Sequence, residues 1–278
     1  GGKKLSGKIS ISGSKNATLP ILAASILADH VKIKNAPMVK DIFTMIDLLN
    51  FIGLKTKLIK KKKTIEIFNK SENINTLAPY KLVKTMRAGV LVLGSLLTKY
   101  RKAKVSLPGG CAIGSRPVNL HLFALKKLGA KIKIKDGYIY AEAKNGLKGA
   151  KIKFPSISVG ATENALLASI KAKGKTILKN CAIEPEIKDL TNFLNKAGAK
   201  IKWSGRVCKI IGVKSLNETE YSVMADRIEA GTFCIAATLA KGNLQINNVN
   251  PNIIGTEIKL LKKVGAKIKT SENKILIK

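Results

Sequence analysis

Apolar and polar positions recur along the chain in a fixed order. Helix-length runs of small and apolar residues, LPILAASILA (19–28), ENALLASIKA (163–172) and GTFCIAATLA (231–240), are apolar nearly all round and predict buried helices. Each is followed by an alternating segment, HVKIKN, GKTILKN or GNLQINN, with the period of a half-buried strand. A Pro-containing loop and an amphipathic stretch such as EIKDLTNFLNKAG predict a second helix, stopped by a glycine at its C-terminal end. Two further alternating runs, AKIKWS and VCKIIGV, close the unit as a hairpin.

The order repeats. LKKLGAKIK (125–133), LNKAGAKIK (194–202) and LKKVGAKIK (261–269) share their wording, and their glycines Gly129, Gly198 and Gly265 stand 69 and 67 residues apart. LLNFIGLKTK (48–57) is a more divergent fourth copy. Self-similarity at such a period marks a repeated supersecondary unit, and one unit cannot bury both faces of its helices alone. Four units are expected, at roughly 17–69, 85–144, 162–214 and 227–278. The repeats also decide the reading of Thr18 to Ala28. Behind Lys3, Lys4, Lys8 and Lys15 this run imitates a signal peptide, yet the same helix type recurs deep in the chain, and 11 residues are too few to span a bilayer. No targeting or membrane segment is expected, and a cytoplasmic location follows.

Composition adds little to the fold and more to the partners. With 278 residues and 45% hydrophobic content the chain can fill real cores, which excludes disorder and collagen-like structure. Cys111, Cys181, Cys208 and Cys234 are far apart, so neither a disulfide framework nor a metal site is indicated. The net charge of +34 raises the question of nucleic acid. Only five of the 51 basic residues are arginine, however, and the lysines are spread through strands and helices, as in KIKIK (131–135), with 5% aromatics. That distribution is a solvated surface, with Lys60 to Lys63 as a hairpin tip, and no specific nucleic-acid partner is expected.

One loop breaks the repeat. Units one, three and four join first strand to second helix through NAPMVKD, NCAIEPEIKD and NVNPNIIGTE, whereas unit two has SLPGGCAIGSRPVNLH (106–121). Its glycines let a ligand approach the backbone, and a thiol beside a cation has a lowered pKa, so Cys111 with Arg116 is a candidate for chemistry. Cys181, Cys208 and Cys234 sit in apolar elements and read as core, and His121 is expected to begin or cap a helix. A second unusual stretch is ISGSKNATLP (11–20), where Ser14, Lys15 and Asn16 precede the first buried helix and could hold an anion.

GSKNATLP, KTMRAGV (84–90), SLPGGCAIGSRPVNLH and SVGATEN (158–164), taken in order over the whole chain, resemble the enolpyruvyl transferase family. The resemblance implies an α/β (α+β) fold of βαβαββ units arranged with pseudo-threefold symmetry, an inside-out α/β barrel with the site in a cleft between two domains. It implies transfer of the enolpyruvyl group of phosphoenolpyruvate to the 3′-hydroxyl of UDP-N-acetylglucosamine, the committed step towards peptidoglycan, with no metal or organic cofactor. The family's shikimate-route branch lacks the cysteine loop and is the lesser candidate. By motif, Cys111 would protonate the enolpyruvyl methylene and be the thiol that fosfomycin modifies. Lys15 and Asn16 would hold phosphoenolpyruvate, Arg116 would contact phosphate, and Arg87 would help bind the sugar nucleotide. Arg116, Pro117, Val118, Asn119 and Leu120, with Ser156, Ile157, Ser158 and Val159, would line its site. Asn119 stands where many members carry an acid, and Ser156 where some carry a base.

The resemblance also implies six units, of which this sequence holds four. The two others carry the proposed aspartate base and an arginine for phosphoenolpyruvate, so a longer reading frame or a separate C-terminal fragment would have to supply them. The alternative is an inactive nucleotide-sugar binder. Residues 15–224 are expected to form a complete three-unit domain, and residues 1–14 with 225–278 an incomplete one that exposes apolar surface from its first helix.

Overall fold

The structure is a computed structural model and describes residues 3–71, 73–109 and 117–278. Cys111 and Arg116 lie outside the described residues.

The chain opens with β1 (Ser6–Ser10), then α1 (Lys15–Ala24), β2 (His30–Lys34), α2 (Lys40–Ile52) and the hairpin β3 (Lys55–Ile59) and β4 (Thr64–Phe68). The second passage is β5 (Leu77–Ala78), α3 (Tyr80–Val83), α4 (Val92–Tyr100), β6 (Lys102–Ser106), α5 (Asn119–Lys127), β7 (Lys131–Lys135) and β8 (Tyr138–Glu142). The third is β9 (Lys151–Lys153), α6 (Val159–Ser169), β10 (Lys175–Lys179), α7 (Pro185–Lys196), β11 (Lys200–Ser204) and β12 (Val207–Ile211). The fourth is β13 (Thr219–Ser222), α8 (Arg227–Leu239), β14 (Asn243–Asn247), α9 (Gly255–Lys263), β15 (Ile268–Ser271) and β16 (Lys274–Ile277).

Each passage makes a four-stranded sheet with one plan. An opening edge strand runs parallel to the second strand, which pairs antiparallel with the last strand of the hairpin. Two opening strands are exchanged: β13 completes the sheet β13-β2-β4-β3, and β1 completes β1-β14-β16-β15. The exchange makes the chain cross twice, and the crossings pair. Ser14 N donates to Met224 O at 2.8 Å and Asp226 N to Ser12 O at 2.9 Å. Between them Gly13 lies so close to Asn35 that a Cβ would stand 1.6 Å from its carbonyl oxygen.

Two apolar cores result. The larger joins the first three sheets and their helices as far as Val223. The smaller contains Ile11 and residues from Ala230 to Ile277. In the larger, α4 packs on both α1 and α6, and the runs 17–24 of α1 and 161–169 of α6 are buried on every side. Helix α8 is not buried all round and shows the exposed apolar surface expected of this helix. Only Ala230, Gly231, Cys234 and Ala237 are buried, while Ile235 is 47% and Leu239 79% exposed. Among the described residues that face is left uncovered.

The repeat glycines behave as the sequence predicts: Gly53, Gly129, Gly198 and Gly265 have φ of 112°, 96°, 96° and 100°, the left-handed turn that ends a helix. The lysines of KIKIK point to solvent, and Lys60 to Lys63 form an exposed turn between β3 and β4. Cys181, Cys208 and Cys234 are buried, and burial raises all three thiols, Cys181 and Cys234 to about 11. No helix among the described residues is long and apolar enough to cross a membrane.

Candidate functional site

Helices α1, α5, α6, α7 and α8 turn their N-termini towards one cavity of about 790 Å³. The first residues of a helix leave backbone N–H groups without intrahelical partners, and the aligned peptide dipoles make that end positive. Caps fix three of these ends. Ser14 Oγ accepts from Ala17 N at 3.3 Å, Ser158 Oγ from Ala161 N at 3.3 Å, and Asp226 Oδ1 from Ile228 N at 2.8 Å. Because the cap precedes the apolar run, α1 and α6 start four residues before the runs that predicted them, bringing Lys15 and Val159 to the rim.

The cavity collects most of the expected site residues. Lys15, Asn16, Arg87, Pro117, Asn119, Leu120, Ser156, Ile157, Ser158 and Val159 all line it, from three different units. Val118 does not. Its side chain is buried in the larger core at the turn that leads into α5. Its neighbours Pro117, Asn119 and Leu120 line the cavity instead. Cys111 and Arg116 belong to the segment outside the described residues.

Lys15 Nζ is 3.0 Å from Asp41 Oδ2 on α2. His121 is neither the first residue of α5 nor its cap. It is buried in the helix's first turn, where Asn164 Nδ2 lies 3.1 Å from its Nδ1. Burial, and then the charge of Arg87, lowers the imidazole to about 4, so at neutral pH it is uncharged and accepts from the Asn164 amide. The same Asn164 receives Gly94 N at 2.8 Å and donates to Val90 O at 3.1 Å, tying α6 to α4.

An acidic wall stands among lining residues that the sequence does not single out as site residues. Glu163, Glu184 and Glu186 line the cavity beside Asp41. Burial, reinforced by the neighbouring charges of Glu186 and Glu184, pushes Glu163 up to about 8, so it is protonated at neutral pH. Glu186 accepts from Arg227 Nε at 2.9 Å. A signal existed: in a chain with only 17 acids, EPE (184–186) places two of them a residue apart at the start of an amphipathic run, and ATEN adds a third. Asp41 pairs with Lys15 and Glu186 with Arg227, so these side chains offset one another. The pull on an anion then comes from the converging helix ends and the field of a +34 protein. Among the described residues no group of three or more His, Cys, Asp or Glu side chains is arranged to hold a metal ion.

These features define an α/β protein of repeated βαβαββ units with one cleft at the helix N-termini. The chain belongs to the EPSP synthase (3-phosphoshikimate 1-carboxyvinyltransferase) family, whose model matches residues 1–278. It is 59% identical over 279 residues to UDP-N-acetylglucosamine 1-carboxyvinyltransferase of Pelagibacter ubique, covering 100% of this chain and 66% of that protein. The protein of the same name from Endomicrobium trichonymphae is 51% identical, with 99% and 66% covered. Among solved structures, the enolpyruvyl transferase NikO from Streptomyces tendae superposes with a TM-score of 0.85 at 21% identity, covering 100% of this chain and 66% of that one, which bears out the fold. The chain thus spans about two thirds of the length of these relatives.

Proposed function

We propose that this chain serves the transfer of the enolpyruvyl group of phosphoenolpyruvate to the 3′-hydroxyl of UDP-N-acetylglucosamine, in the cytoplasm, as a step of peptidoglycan synthesis. The observation that carries the reading is the cavity. Residues singled out from motifs scattered between positions 15 and 159 line one wall system, at helix ends suited to phosphorylated ligands. The relatives at 47–59% identity carry the name of that activity, which favours it over the shikimate branch.

In this reading Lys15 and Asn16 hold the phosphoenolpyruvate, with Lys15 released from Asp41 when the anion arrives. Arg87 and residues 117, 119–120 and 156–159 receive the sugar nucleotide. Cys111 delivers a proton to the methylene carbon, a transfer that needs a positioned acid, and Arg116 offsets charge developing on the phosphate. Residues 15–224 act as one domain, and residues 1–14 with 225–278 belong to a second, whose exposed α8 face is a surface for the further units that the relatives possess.

The test is phosphate release from phosphoenolpyruvate, measured with the chain alone and with a fragment supplying the units present in the relatives. Release that depends on UDP-N-acetylglucosamine and falls at least about a hundred-fold in Cys111→Ser supports the reading, since general acid catalysis contributes on that order. No release in the completed protein, or release that depends on shikimate 3-phosphate instead, overturns it.

A further inference from the structure

Arg227 is the first residue of α8, immediately after the crossing strand, and it reaches over the cavity to the large body. Its only described partner is Glu186, in the first turn of α7, and the contact uses Nε. Nη1 and Nη2 make no hydrogen bond to any described residue, although the guanidinium lines the cavity and only 24% of the side chain is exposed. Glu186 is held rigidly: its side chain is 4% exposed, at a helix end started by Pro185. Its second oxygen, Oε2, is buried and finds no partner.

A carboxylate that grips a guanidinium through Nε alone leaves the two Nη groups parallel and unused. Their geometry matches a pair of phosphoryl oxygens. Desolvating such a fork without a ligand is costly, and a bound phosphoryl group offsets that cost. The other cationic side chains at the cavity are already engaged: Lys15 by Asp41, and Arg87 by contacts of its own. We infer that Arg227 is a phosphoryl-binding residue of this cavity and that Glu186 positions it, presenting the Nη fork to the ligand from the α8 side. This deepens the reading above and rests on it for the identity of the ligand. The phosphoryl group is that of the nucleotide sugar or that of phosphoenolpyruvate.

The experiment is calorimetric titration of the intact chain and of its variants with UDP-N-acetylglucosamine, UDP, phosphoenolpyruvate and uridine, with thermal melts to verify folding. Arg227→Met is expected to weaken at least one phosphoryl ligand about ten-fold or more and leave uridine unchanged. Arg227→Lys keeps the charge without the fork and recovers only part of the loss. Glu186→Gln keeps a neutral acceptor and falls between the two. Loss shared by UDP and its sugar conjugate assigns the fork to the diphosphate, and loss confined to phosphoenolpyruvate assigns it to the small acid.

Phosphoryl affinities within two-fold of the unaltered chain in both Arg227 variants overturn the inference. Unchanged binding in Glu186→Gln overturns the positioning role. If the unaltered chain binds UDP with no preference for its N-acetylglucosamine conjugate, the functional reading fails while the fork stands. If it binds no phosphoryl ligand, both fail.

Discussion

Burial of Glu163 on α6, with Glu186 and Glu184 beside it, holds its carboxyl at about 8 against an ordinary value of 4.5. The folded state keeps a proton that the unfolded chain releases, so this group's stabilising contribution is complete below pH 4.5 and is lost as pH rises to about 8. His121 works in the opposite sense. Its folded value near 4 lies below the ordinary 6.5, so its contribution is present above pH 6.5 and is lost as pH falls towards 4. Asp189, raised to about 6 by burial, follows Glu163 in direction but is mostly ionised above pH 6.5. Above pH 6.5 Glu163 is therefore the main buried contributor of the three, with a slope of at most about 1.4 kcal/mol per pH unit. Urea unfolding at pH 6.5 and 8.5 should show the chain losing stability and Glu163→Gln losing markedly less. Equal losses would mean that Glu163 is ionised in the fold.

Helices and strands differed in how far the sequence disclosed them. The second helices were legible because amphipathic spacing and a terminal glycine act together, and all four glycines adopt the required φ. The opening strands were not: β5 has two residues and β9 three, too short for any alternation to register. Helix starts were displaced because capping by Ser14 and Ser158 sets them, whereas the apolar run reports only the buried turns. Of the cavity's lining, Lys15, Asn16, Arg87 and residues 117, 119–120 and 156–159 were legible from motifs, while the acidic wall was not, since Glu163, Glu184 and Glu186 meet only when α6 and α7 pack.

Asn164 tests that packing at the level of elements. It satisfies Gly94 N and Val90 O on the neighbouring segment and faces His121. Asn164→Ala should cost about 2–4 kcal/mol, from a cavity and stranded backbone groups together, read as a lowered urea midpoint. A loss under 0.5 kcal/mol would show that α4 and α6 hold together without it. Gly13→Ala tests the crossing. A Cβ 1.6 Å from the Asn35 carbonyl cannot be accommodated, so a drop of at least about 3 kcal/mol or failure to fold is expected, and a native melting curve would contradict the paired crossing.

At the scale of the molecule, the most exposed large apolar side chains among the described residues lie at the last two helices. Lysines cover the outer faces of the sheets, while α8 and α9 present Ile235, Leu239, Leu260 and Val264, the last three 79%, 61% and 68% exposed. Exposed apolar side chains of this size, where they adjoin, favour binding of hydrophobic dyes and self-association. Ile235→Ser with Leu239→Ser should reduce dye fluorescence and association at little cost in stability, and undiminished dye binding would place the sticky surface elsewhere. The cavity is lined by the residues at which helices begin, where a net charge of +34 adds a positive field to that of the helix ends.

The central claim, that one cavity joins the first three units into a nucleotide-sugar site, is tested most directly by amide hydrogen exchange with and without UDP-N-acetylglucosamine. Slowed exchange centred on residues 15–17, 87–91, 119–121 and 158–161, joined by the start of α8 if Arg227 holds the diphosphate, is the predicted result. An unchanged exchange pattern, or protection spread over the lysine-bearing strands, would contradict it.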